Sequence, residues 1–212
     1  MSIERSRTAH PVVDAPRGLT MGSWAMWITL TALSTGIAGL AAAALYLHSG
    51  QPAWPPAPLT RPTSLYALAM IVLTVAGALV THRAKVQLRT GRRQAATASL
   101  LLAGALTTAV PVVAGFDLAN SGFRWDAHAY ASIYWVNTIG AATFVVVGVF
   151  MLAAVTVQRL IGVVDEGRML ELEVTSGYLW WSIFAVVALL AVVHLLPDPA
   201  LDVVAAAAEV AR

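Results

Sequence analysis

Residues 132–157 (SIYWVNTIGAATFVVVGVFMLAAVTV) and 174–196 (VTSGYLWWSIFAVVALLAVVHLL) contain no Asp, Glu, Lys or Arg, and a short charged segment, 158–173, joins them. At about 1.5 Å per helical residue, roughly 20 apolar residues cross the hydrocarbon core of a bilayer. Lipid offers the backbone no hydrogen-bond partner, so a run that lacks the alternation of a barrel strand must satisfy its amides as a helix. The pair reads as a transmembrane hairpin. Three further apolar runs, 23–47, 64–81 and 95–115, repeat the pattern. The expectation is an all-α integral membrane bundle of five transmembrane helices spanning 23–196. A polar N-terminal tail (1–22) precedes it and an external tail (197–212) follows, in which Asp198 or Pro199 opens a short interfacial helix.

Composition supports that class. Only 11% of the 212 residues are charged, against about a quarter in a soluble domain. The net charge of +2 is small and falls in loops, so it marks membrane topology and no nucleic-acid surface. The chain has no cysteine, which excludes disulfides, thiolate metal sites, iron–sulfur clusters and covalent c-type haem. The tail 1–22 has no apolar core, so the first helix is expected to act as an uncleaved anchor.

Orientation follows from the basic residues. Arg5, Arg7, Arg17, Arg83, Lys85, Arg89, Arg92, Arg93, Arg159 and Arg168, ten in all, fall on one side of a five-span chain, and Arg61, Arg124 and Arg212 on the other. The positive-inside rule places the N-terminus in the cytoplasm and the C-terminus outside, in the cell (inner) membrane. The cluster Arg83, Lys85, Arg89, Arg92 and Arg93 is read as an inner loop that binds anionic lipid headgroups. Trp54, Trp125, Trp135, Tyr130 and Tyr134 are expected at the outer interface, where amphipathic rings are favoured.

Within the spans, Gly36, Gly39, Gly77, Gly104, Gly140 and Gly148 suit close helix approach. Ser34, Thr35, Thr74, Thr107, Thr108, Asn137 and Thr143 are of a type that hydrogen-bonds between membrane helices. Pro111 is expected to kink the third helix near its outer end. No run carries an ionisable residue at its middle, which argues against a proton pump or ion-coupled carrier. Histidine is the remaining ligand type. His48, His128 and His194 fall at outer helix ends with Asp117 at similar height, a candidate metal or quinone set, though the bland alternative is interfacial side chains bonded to loops or water. His10 and His82 read as surface residues. There is no Ser-His-Asp arrangement, phosphate loop or His-x-x-x-His pair.

Several segments, in order, resemble subunit III of the haem–copper oxidases in its shorter, five-helix form. Residues 130–148 (YASIYWVNTIGAATFVVVG) are similar to the start of that family's penultimate helix, Tyr-Gly-Ser-x-Phe-Tyr. Residues 174–184 (VTSGYLWWSIF) are similar to the beginning of its last helix, Tyr-Tyr-Trp-His-Phe-Val-Asp. Trp54-Pro55-Pro56 after the first run matches a Trp-Pro-Pro loop, and AGFDL at 114–118 stands where the family has Gln-Gly-x-Glu-Tyr, with Asp117 for the glutamate. The chain departs where the family is polar. Its paired histidines fall at Ala141 and Phe144, its final-helix His and Asp at Leu179 and Ser182, and its buried glutamate near Leu33.

The resemblance implies an accessory, non-catalytic subunit that binds no redox cofactor itself. Haem and copper would sit in partner chains, subunit I above all, with structural phospholipid between them. The packing residues would be Gly36, Gly39, Tyr130, Tyr134, Asn137, Tyr178, Trp180 and Trp181. Three alternatives remain open at the level of sequence. They are a companion of nitric oxide reductase, an outer-face metal or quinone enzyme, and a small transporter subunit using Asn137, Thr138 and Thr143.

Overall fold

The computed structural model describes residues 21–164 and 169–196. Among them are five helices and no strand: α1 (Met21–Ser49), α2 (Ser64–Arg89), α3 (Arg93–Ala119), α4 (Ala129–Leu160) and α5 (Leu170–His194). All five are long and apolar enough to cross a membrane. The tails, Arg168 and the C-terminal helix proposed at Asp198 lie outside the described residues.

Local chemistry sets the helix ends. Thr63 accepts a hydrogen bond from the Leu65 amide and caps α2. At the other end Gly91 takes a left-handed φ of 73°, and the Arg92 amide bonds back to the Gln87 carbonyl at 2.9 Å. Gly162 (φ 79°) closes α4 in the same way, with Val163 N–H on Gln158 O at 2.8 Å. Both are Schellman turns, and only glycine enters that backbone region without strain. α2 therefore continues eight residues past the apolar run, to Arg89. Arg83, Lys85 and Arg89 stand on this helix, not in a loop, because Lys, Arg, Gln, Val and Leu all tolerate helix and nothing before Gly91 stops it. α3 runs unbroken past Pro111.

α2, α3, α4 and α5 close a ring in which each packs on the next and α5 returns to α2; α1 lies outside it, against α5 and along α4. The interior is layered. Leu88, Leu100, Leu152 and Leu172 fill the end that bears the basic cluster. Met70, Val110, Ala141 and Val186 fill the middle. Trp54, Tyr130, Tyr134 and Val193 fill the opposite end. The glycines sort into two kinds. A Cβ on Gly77 would stand 2.5 Å from Thr107 Cγ2, and one on Gly148 2.7 Å from Leu179 Cδ2, so these two positions set the α2–α3 and α4–α5 spacing. Gly36, Gly39 and Gly104 meet nothing within 4 Å. Gly36 and Gly39 lie on the outward side of α1.

Among its described side chains α1 buries only Leu30, Ile37 and Ala44, one residue every seven, and turns Trp24, Trp27, Ile28 and Tyr46 outward. Trp181 on α5 donates from Nε1 to Ser34 Oγ on α1 at 2.9 Å. Most other hydroxyls expected to bridge helices bond instead to carbonyls one turn back in their own helix. Thr35, Thr74, Thr107, Thr108 and Thr143 all do so, as does the Asn137 amide. A carbonyl four residues back is always within reach, whereas a partner on the next helix must be placed there. At the basic end Gln87 on α2 shares a 2.7 Å hydrogen bond with Ser99 on α3, and Arg89 pairs with Glu173 on α5.

Candidate functional site

Among the described residues, several buried polar side chains gather at the end opposite the basic cluster. Asp117, two residues beyond the third apolar run 95–115, is in the last turn of α3 and 1% exposed. Its Oδ1 accepts a 2.6 Å hydrogen bond from the hydroxyl of Tyr134 on α4, itself 0% exposed. The Tyr134 ring meets the His194 ring of α5 edge-on at 5.9 Å, so one aromatic side chain joins three helices. Tyr130, one turn nearer the helix start, lies 6.5 Å from Tyr134, and Phe123 closes on both at 5.9 and 5.5 Å.

Trp54 reaches this cluster from the proline-rich α1–α2 loop. Its ring stands edge-on to Tyr130 at 5.1 Å and to His48 at 5.4 Å. The loop is held over the cluster by Arg61, whose guanidinium donates to the carbonyls of Leu196 (2.7 Å), His194 (3.3 Å) and Trp54 (3.4 Å). A cation on the final carbonyls of a helix satisfies acceptors that have no partner within it. Sequence reasoning counted Arg61 only as an outer-side charge; the signal of its role was a lone arginine amid prolines.

Trp54, Tyr130 and Tyr134 are thus core residues and not an interfacial belt, whereas Trp125 is exposed. Tyr178 is buried and donates from its hydroxyl to the Phe144 carbonyl at 2.9 Å. Trp181 stacks edge-on with Phe144 at 5.3 Å, and Trp180 faces outward.

The candidate ligand residues divide. His128 is the N-cap of α4, its Nδ1 accepting from the Tyr130 amide at 3.2 Å. His48 abuts Trp54. Only Asp117 and His194 come together, through Tyr134. No group of three or more His, Cys, Asp or Glu side chains within metal-binding reach exists among the described residues. Buried atoms without a hydrogen bond nonetheless mark the cluster: Asp117 Oδ2, the Tyr130 hydroxyl, His194 Nε2, Asn137 Oδ1 and Thr138 Oγ1. The layer beneath is Met70, Val110, Ala141 and Val186, all buried and none polar. The buried hydroxyls of Thr74, Thr107 and Ser182 lie one turn from residues of this layer and bond to carbonyls of their own helices. The arrangement is suited to fixing the register of three helices and one loop.

No protein-family model matches the chain, and no curated protein sequence matches it.

Proposed function

We propose that this protein is an accessory, non-catalytic subunit of a haem–copper terminal oxidase, packed against the haem-bearing chain with its basic end in the cytoplasm. One observation carries the reading. The segments that carry the resemblance to subunit III are distant in sequence, yet Trp54, Asp117, Tyr130 and Tyr134 belong to a single buried cluster. A chance likeness of separate apolar stretches gives no reason for those particular side chains to meet. The polar residues that the family would place on α4 and α5 are replaced here by Ala141, Phe144, Leu179 and Ser182, all in apolar packing except the Ser182 hydroxyl, which bonds to the Tyr178 carbonyl at 2.9 Å. Contact with the partner then rests on shape, through the outward small-residue face of α1. That face includes Gly36 and Gly39, and a helix backbone can approach it closely.

The test is purification of the tagged chain from native membranes in a mild detergent. A haem-containing chain with the absorbance of a terminal oxidase should elute with it in fixed proportion. Recovery of the chain alone and without haem, from cells that express an active oxidase, overturns the proposal.

A further inference from the structure

All five tyrosines of the chain lie among the described residues, and only Tyr134 gives its hydroxyl to a carboxylate. The Tyr178 hydroxyl donates to the Phe144 carbonyl, which accepts a hydrogen bond but takes no proton. The buried Tyr130 hydroxyl has no hydrogen-bond partner. The 2.6 Å between the Tyr134 hydroxyl and Asp117 Oδ1 is the length of a hydroxyl bond to an ionised acceptor, about 2.5–2.7 Å, and is shorter than the roughly 2.7–2.8 Å usual between neutral groups. No second donor shares the carboxylate, since Asp117 Oδ2 is unbonded.

The pairing matters for oxidation. A phenol gives up an electron far more readily when its proton leaves in the same step, because the oxidised phenol is a very strong acid. A base at hydrogen-bond distance is what allows that proton to leave. Tyr134 also has a route for the electron. Its ring stacks with Tyr130 at 6.5 Å, and Tyr130 meets Trp54 edge-on at 5.1 Å. Trp54 belongs to the α1–α2 loop, and His48, which touches it, is only half-buried. Rings this close exchange an electron by tunnelling. Tyr130 has no acceptor for its proton, so it passes an electron hole on and does not hold it. The hole comes to rest where the proton moves, on Tyr134.

We propose that Tyr134 is a redox-active tyrosine, the sink for one-electron oxidation that enters the chain at Trp54. The oxidant is a peroxyl radical formed in the surrounding membrane. It takes one electron from Trp54 and one proton from water and becomes a hydroperoxide. Trp54 is refilled from Tyr130, and Tyr130 from Tyr134. The Tyr134 O–H bond then breaks, its proton passes to Asp117 Oδ1, and a neutral tyrosyl radical remains beside a carboxylic acid. Both residues are sealed from solvent, so the radical is kept from coupling with a second one. One electron from a reductant, with return of the Asp117 proton, restores the pair. The inference draws on this cluster alone and is independent of the oxidase reading.

The test uses the purified full chain in micelles, with flash-generated tris(bipyridine)ruthenium(III) as the oxidant. Radicals are read by electron paramagnetic resonance after freeze-quenching. A tyrosyl signal is expected in the wild type, and roughly tenfold less of it in Tyr134→Phe. Asp117→Asn keeps an acceptor oxygen without a base and should lower the yield by a similar factor. Trp54→Phe removes the oxidisable indole and should slow the rise of the signal roughly tenfold, whereas Tyr46→Phe, at an exposed tyrosine, should leave it unchanged. Variants are scored only where elution volume and helix content match the wild type. In the wild type itself, soluble ascorbate should quench the radical roughly tenfold more slowly than the radical of a free tyrosine amide, as burial requires. A full signal in Tyr134→Phe, a full yield in folded Asp117→Asn, or wild-type quenching as fast as that of the free amide overturns the proposal. A bond that served structure alone would leave the radical yield of folded variants where it was.

Discussion

Tyr134 donates a 2.6 Å hydrogen bond to Asp117 across the α4–α3 interface, at a depth where both residues are sealed from solvent. Asp117 Oδ2 has no partner, so this bond is the only side-chain hydrogen bond that satisfies the carboxyl group. Removing a single partner of a buried pair leaves the other to bear its full desolvation cost, about 1–3 kcal/mol. Tyr134→Phe should therefore destabilise the bundle by about that amount, and Asp117→Leu with Tyr134→Phe should cost less than the sum of the two single changes. A double-mutant cycle by denaturant unfolding in micelles checks it; strict additivity would mean the bond contributes nothing.

The glycines predict opposite outcomes by position. Gly77→Leu and Gly148→Leu drive side chains into Thr107 and Leu179, and should lower stability by about 1–3 kcal/mol or force the helices apart. Gly36→Leu and Gly39→Leu enter open space on α1. They should leave the isolated chain as stable as the wild type while reducing recovery of the haem-bearing partner. Thermal unfolding and co-purification, measured on the same four variants, separate the two classes; loss of stability at Gly36 would show that its face is packed within the chain.

That division explains what the sequence could and could not tell. The spans were legible because length and hydropathy are local, and 23–47 became Met21–Ser49 with little change. The faces were not. In a soluble helix the buried stripe is the apolar one, but a membrane helix is apolar on its lipid side too, so Gly36 and Gly77 read alike although one is open and the other is in contact. Asp117 was misplaced for a related reason. A carboxyl after an apolar run looks like the beginning of a loop, and only the tertiary placement of Tyr134 makes a buried position tolerable. The meeting of Trp54 with Tyr130 is likewise invisible locally, since 75 residues separate them.

The Trp181–Ser34 bond is the hydrogen bond across the α5–α1 contact, and α1 buries little else. Trp181→Phe keeps the ring and removes the N–H. It should cost only about 0.6 kcal/mol, the mean for hydrogen bonds between membrane helices, yet concentrate the effect on α1. Proteolysis or hydrogen exchange should speed up in α1 and leave α3 and α4 unchanged; uniform acceleration across all five helices would contradict a separately held α1.

Orientation can be settled with the chain's own composition. It has no cysteine, so any introduced thiol is unique. Gln94 and Asn120 are exposed near opposite ends of α3, the first beside the basic cluster and the second in the turn after Asp117. Basic residues resist transfer across the membrane, and the excess lies at the Gln94 end. On intact cells stripped of any outer barrier, a membrane-impermeant maleimide should label Asn120→Cys within minutes and label Gln94→Cys only after permeabilisation. The reverse pattern would turn the bundle over and place the Asp117–Tyr134 cluster on the cytoplasmic side. The charged turn between α2 and α3 would then face outward, where an inner-membrane partner subunit could still dock but anionic headgroups of the inner leaflet could not reach Arg92 and Arg93.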